Sequence, residues 1–173
     1  MGKVSDFCKR KNIEISVQRY LIDALGAMAQ GLFASLLMGT ILSTIGEQSG
    51  ISILVQVGDF AKSASGPAMA VAIGFALKAP SLVLFSLVAV GYAANSLGGA
   101  GGPLAVLVVA IVAAECGKVV ANETKIDILV TPSVTILSGC LLSMACAPAI
   151  GATATAVSYT HLRAQRLRCI SYA

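Results

Sequence analysis

Thirty-six consecutive residues, Ala79 to Ala114, contain no Asp, Glu, Lys, Arg or His. At 1.5 Å per residue a single helix of that length would measure about 54 Å, against a bilayer hydrocarbon core of about 30 Å. Tilt does not absorb such an excess, so the run has to fold back. Its centre, "NSLGGAGGPL" from Asn95 to Leu104, shows where: Gly98, Gly99, Gly101 and Gly102 lie within five positions, followed by Pro103. Glycine weakens a helix through its backbone freedom. Proline suits a helix restart, because its missing N–H would have no partner there. The pattern predicts one helix near Ala79 to Ser96 and a second near Pro103 to Ala121.

That the surroundings are lipid follows from composition. The 173 residues are 57% hydrophobic and 12% charged, with a mean hydropathy of +0.86; soluble domains carry about 25% charged residues. One core of this size could not hide so much apolar surface from water. Two further uncharged runs, Ala24 to Gly46 and Ile128 to Ala156, are also long enough to span. The expected fold is therefore all-α, a polytopic membrane helix bundle of about five spans, with one helical hairpin broken at the glycine-rich turn.

A polar N-terminal segment, residues 1–20, carries Lys3, Lys9, Arg10, Lys11 and Arg19 and is expected in the cytoplasm. Arg19 and Asp23 are spaced to pair on one helix face. Along the first span, near Ile22 to Ile45, small residues recur every four positions: Ala27, Gly31, Ser35, Gly39 and Ser43. Such a stripe lets another helix approach closely. Glu47 to Lys62 reads as a short, polar and amphipathic connection. Ser63 to Leu77 is only about 22 Å as a helix, a short span or a re-entrant segment, and it repeats the small spacing at Gly66, Ala70 and Gly74. With it crossing, Lys78, Lys118 and Lys125 fall on the cytoplasmic side and Lys62 outside, in line with the positive-inside bias. The Asn122-Glu123-Thr124 sequon then lies on the cytoplasmic side and is discounted.

Few residues offer chemistry. The five cysteines form no CxxC pair and have no histidine at metal-ligand spacing, so neither metal nor disulfide is expected. The glycine run matches neither GxxxxGK[ST] nor GxGxxG, and no cofactor motif occurs. No catalytic set is expected. Before Val157 there are nine Lys and Arg against eight Asp and Glu, without the basic, aromatic surface that nucleic acid needs. Two candidates remain. The run from Asn95 through Gly98, Gly99, Gly101 and Gly102 is either a tight hairpin or irregular backbone lining a cavity. Glu115 and Lys118, three apart near the end of a span, can neutralise each other and are either functional or interfacial. Glu123, Lys125 and Asp127 read as a solvated loop, and Pro132 as a kink early in the last span.

From Val157 onward, hydropathy collapses and three arginines and His161 appear. "VSYTHLRA" resembles the translation of a transposase adapter used in library preparation. Residues 157–173 are accordingly expected to be adapter read-through, residues 21–156 a truncated membrane domain, and His161 no catalyst.

Three stretches, "RYLIDALGAMAQGLFASLLMGTIL" (Arg19 to Leu42), "LVLFSLVAVGYAANSLGGAGGPLAVL" (Leu82 to Leu107) and "ECGKVVANETKIDILVTPSVTIL" (Glu115 to Leu137), resemble the membrane-embedded IIC component of bacterial phosphotransferase-system sugar carriers, in the branch with regulator-like members. The resemblance covers about residues 8–152 and implies roughly the N-terminal half of such a domain. It implies a multi-pass protein of the bacterial plasma membrane that binds and translocates sugar. A cytoplasmic IIB protein would donate the phosphoryl group, with IIA and the general phosphotransferase proteins upstream. The enzyme class stays open, because this chain has no phosphoacceptor. The implied partners are sugar, IIB, the lipid bilayer and a second copy in a homodimer, with no nucleic acid and no cofactor. Asn95, Gly98, Gly99, Gly101, Gly102, Glu115 and Lys118 become substrate-binding candidates. A ligand-sensing membrane regulator without transport is the alternative, and a generic ion-coupled transporter a weaker third.

Overall fold

The computed structural model describes residues 18–123 and 126–170, without the side chains of Arg19 and of residues 158–170. The expectations for residues 1–17, the Arg19–Asp23 pair, Thr124 of the sequon, Lys125 and the His161 side chain lie outside the described residues.

All elements among the described residues are helical. Helix α1 is a continuous rod made of a π-helical turn Gln18–Asp23, an α segment Ala24–Leu32, a second π segment Phe33–Leu37 and an α segment Met38–Ser49. There follow α2 (Ser52–Ser63), α3 (Ser65–Ala76), α4 (Ser81–Gly98), a single 3₁₀ turn (Gly99–Gly101), α5 (Gly102–Val120) and α6 (Asp127–Ile170). Tyr20–Ser49, Ser81–Val120 and Asp127–Val157 are each long and apolar enough to cross a membrane, and Ser65–Ala76 is a shorter apolar helix. Ser81–Val120 is folded double at Gly99, and α2 and α3 follow one another along α1. Five membrane-scale rods result, as the sequence predicts.

The small-residue stripe of α1 is the face on which the second rod lies. A Cβ added to Gly46 would meet Val55, one on Gly39 would meet Gly58 and Lys62, and one on Gly31 would meet Ala68 and Met69. The partners rise in number as the α1 residues fall, so α2 and α3 run antiparallel to α1 and share one rod, interrupted only at Ala64. The chain reverses at Gly50, whose φ of 70° places it in the left-handed region. This alters the sequence reading of Glu47 to Lys62 as a connection. The second rod begins at Ser52, and the 25 residues from Ser52 to Ala76 (76 − 52 + 1) measure about 37 Å. Gln56, Asp59 and Lys62 make α2 read as a loop by hydropathy. Its helix is held instead by the close approach of Gly58 to Gly39, where backbone packs on backbone.

The core lies among α3, α4, α5 and α6. Gly66 and Gly91 bring α3 against α4, and Gly74 lies under Leu84 and Leu87. Helix α6 enters the groove of the α4–α5 pair: Gly139 faces Val90 and Ala113, and Gly117 of α5 faces Thr135 of α6 and Val83 of α4. Met69, Ile73, Leu87, Val90, Val106 and Val109 are fully buried there. Helix α6 continues through Pro132 and Pro148 without a break. The fold has two ends. One gathers the start of α1, the α3–α4 turn and the α5–α6 connection, so that Lys78 and Lys118 share it as the charge bias predicts. The other carries the glycine turn.

Candidate functional site

At the glycine turn each residue has its own constraint. Gly99 has φ 49° and ψ −122°, a conformation that a Cβ makes costly, and a Cβ there would meet nothing within 4 Å. Gly98, Gly101 and Gly102 are buried and are small because other groups press on them. A Cβ on Gly98 would lie 2.9 Å from Ala105 Cβ, one on Gly101 2.9 Å from the Ile150 carbonyl oxygen, and one on Gly102 2.5 Å from Asn95 Oδ1. Asn95 is wedged between Gly66 of α3 and Gly102 at the start of α5. The run is thus a hairpin seated against α6, with Gly99 and Ala100 as its exposed tip.

Glu115 and Lys118 sit at the opposite end of α5. Gly102 and Glu115 are thirteen positions apart, about 20 Å of helix, so the two candidate groups do not form one site. Lys118 is 1% exposed; its Nζ lies 2.6 Å from Glu115 Oε1 and donates a hydrogen bond to the Leu77 carbonyl at 3.2 Å. The turn after α3 presents that carbonyl. The Ala79 N–H bonds to the Gly74 carbonyl and the Lys78 N–H to the Phe75 carbonyl, with Lys78 left-handed at φ 54°. This is the Schellman arrangement, in which glycine is the usual residue at the left-handed position. Lys118 thereby places a cation at the carbonyl end of α3, where the helix dipole favours one. Neither Glu115 carboxylate oxygen is exposed to solvent or makes a hydrogen bond with the described residues. The contact with Lys118 is a charge contact rather than an aligned hydrogen bond.

Beside this pair runs a polar ladder on α6. Asp127 Oδ1 accepts hydrogen bonds from the Asn122 N–H at 2.8 Å and from Thr131 Oγ1 at 2.6 Å. Thr135 Oγ1 donates to the Thr131 carbonyl at 2.8 Å. Thr131 and Thr135 are fully buried. Sequence reasoning read Asp127 as part of a solvated loop. The spacing Asp127, Thr131, Thr135, one residue every four, was the available signal. Among the described residues no group of three metal-ligating side chains occurs.

The arrangement of glycine hairpin, buried ion pair and polar ladder lies within a longer matched stretch. The family model described as "Phosphotransferase system, EIIC" matches residues 22–167. The chain belongs to this family. No curated protein and no solved structure matched it.

This EIIC chain is an integral membrane component of a phosphotransferase system. Its large described cleft, of about 700 Å³, is not formed by any of the candidate residues. It opens between α1 and α3, with Asp23 and Gln30 as its polar members among small and apolar residues such as Gly26, Ala34, Ala72 and Phe75. Gln30 stands within the first uncharged run, Ala24 to Gly46, and was not singled out by sequence reasoning. Neither was Asp59, which pairs with Lys62 at 2.8 Å on α2.

Proposed function

We propose that the chain binds and carries sugar as the membrane-embedded IIC component of a phosphoenolpyruvate-dependent phosphotransferase system. In this reading it lies in the bacterial plasma membrane with its N-terminus in the cytoplasm, and a IIB protein phosphorylates the sugar as it arrives. The family match over residues 22–167 carries the proposal. Glu115 is the first-choice sugar contact. Its oxygens are paired with Lys118 and make no hydrogen bond within the described residues, and a carboxylate accepts hydrogen bonds from sugar hydroxyls. Lys118, already engaged with Leu77 and Glu115, holds that carboxylate rather than competing for the ligand. Asn95 and Gly98, Gly99, Gly101 and Gly102 contribute the shape of the far hairpin.

The test is accumulation of labelled sugar by vesicles holding the protein in its natural full length together with IIB, IIA and the general phosphotransferase proteins. Accumulation that requires both phosphoenolpyruvate and IIB, and that falls on Glu115→Gln, supports the carrier. Specific sugar binding without accumulation replaces it with a sensing regulator.

A further inference from the structure

Gly26 has no packing reason to be glycine. Among the described glycines, Gly50 and Gly99 have positive φ, and every other one except Gly26 would press a Cβ against atoms within 4 Å. Gly26 lies in the α segment Ala24–Leu32 of α1, where glycine weakens the helix relative to alanine, and a Cβ there meets nothing. That segment is bounded at both ends by π-helical turns, a helix form that recurs at functional sites. Asp23, Gly26 and Gln30 are spaced three and four apart, so they share one face. All three are exposed and line the cleft between α1 and α3.

The cleft combines polar ends with a bare floor. Seven positions, about 10 Å of helix, separate Asp23 from Gln30, and Gly26 exposes backbone between them. Gln30 belongs to the uncharged run Ala24 to Gly46, where an amide left without a hydrogen-bond partner is costly. Asp23 gives no side-chain hydrogen bond to the helix that follows it. Across the cleft, Ala68, Val71 and Ala72 leave room, and Phe75, 75% exposed, supplies a flat apolar wall. The volume of about 700 Å³ is that of a small-molecule pocket. One residue past the lining Ala76, the Leu77 carbonyl receives Lys118, so the cleft adjoins the end of α3 that the Glu115–Lys118 pair also meets.

We infer that this cleft is a loading site for a neutral, hydroxyl-rich solute. Asp23 and Gln30 hold the hydroxyl rim, Phe75 packs on an apolar face, and Gly26 leaves the space the solute occupies. The inference rests on the carrier reading for its solute class, and it adds an accessible contact region to Glu115. The polar groups suit hydroxyls: the Asp23 carboxylate accepts hydrogen bonds, and the Gln30 amide both donates and accepts. Charge supplies selection. Asp23 is acidic, and among the described residues no Lys or Arg lines the cleft; Lys78 belongs to an adjoining hollow that Phe75 and Ala76 also line. A phosphoryl group, with a charge of about −2 at neutral pH, is repelled by that carboxylate, so the phosphorylated product is excluded. A second copy fits less well, because a two-fold axis along the bilayer normal would bring a second Asp23 carboxylate to the same depth.

The test is equilibrium binding of radiolabelled glucose, fructose and mannitol, each against its 6-phosphate, to the natural full-length protein in lipid nanodiscs. At least one neutral probe is expected to bind, and Gly26→Leu and Gln30→Ala are each expected to weaken it about tenfold or more. Gly26→Leu should leave the melting temperature unchanged or raised, because its side chain enters open space. The 6-phosphate of the bound probe should bind about tenfold more weakly or less. Binding of none of the three, or binding that either variant leaves intact, overturns the site. A Gly26→Leu that lowers the melting temperature together with binding also overturns it, and gives the cleft to a second copy or another part of the protein. A 6-phosphate that binds as well as its parent overturns the neutral-solute assignment. Sugar accumulation driven by phosphoenolpyruvate and IIB is read alongside. Its absence with the binding pattern intact sinks the carrier reading and leaves the site; accumulation that neither variant reduces sinks the site alone.

Discussion

Gly99 and Gly102 are three residues apart in one turn, yet the structure gives them different reasons to be glycine, and a double-mutant cycle separates those reasons. At Gly99 the constraint is the backbone: φ is 49° and ψ −122°, and an added Cβ has open space. Gly99→Ala is expected to cost about 1–3 kcal/mol from strain alone. At Gly102 the backbone is helical, φ −46° and ψ −51°, and a Cβ meets Asn95 Oδ1 at 2.5 Å and the Asn95 carbonyl oxygen at 3.1 Å. Overpacking of that kind costs about 1–3 kcal/mol, against which alanine regains about 0.5–1 kcal/mol of helix preference. A net loss of about 1–2 kcal/mol follows. Removing the Asn95 side chain relieves the closer contact, so Gly102→Ala and Asn95→Ala should couple favourably by about 1 kcal/mol. Gly99→Ala and Asn95→Ala should add to within about 0.5 kcal/mol. The assay is reversible unfolding of the purified protein in mixed detergent micelles, with the unsubstituted protein, the three single variants and the two double variants in one titration. A neutral Gly99→Ala, or a Gly102→Ala that Asn95→Ala does not rescue, would refute this account of the turn.

Three further outcomes are expected. Lys78→Gly should raise stability by about 1 kcal/mol in the same titration, because it removes the left-handed penalty of a side chain from an exposed residue; an unchanged midpoint counts against strain at that turn. Lys118→Met leaves the Glu115 carboxylate buried without its cation and should destabilise by about 3–5 kcal/mol, whereas Lys118→Met with Glu115→Gln should recover a large part of that; equal losses in single and double variants would show that the pair is not coupled. Sequencing the source DNA across the codons from Ile150 to Ala173 is expected to replace the tail with further apolar codons, and an unchanged reading frame would remove the adapter proposal.

The sequence by itself determined the class, the doubling of the long run and the helix faces that pack. A 36-residue uncharged run has one economical solution in a bilayer about 30 Å thick, and the glycines mark its bend. The Ala27-Gly31-Ser35-Gly39-Ser43 stripe depends only on the helical repeat and emerges as the contact face of α1. The Glu115–Lys118 contact was legible for the same reason, being local at a spacing of three. Tertiary structure decided what those faces meet. Gly39 gives Gly58 a backbone to lie on, which turns an apparent polar connection into the first half of the second rod and sets Asp59 and Lys62 along it. Leu77 supplies its carbonyl to Lys118 from 41 positions away, and Asn95 fills the space beside Gly102. Hydropathy and periodicity describe one helix at a time. Which polar group is covered, paired or left open depends on the neighbour that arrives from elsewhere in the chain.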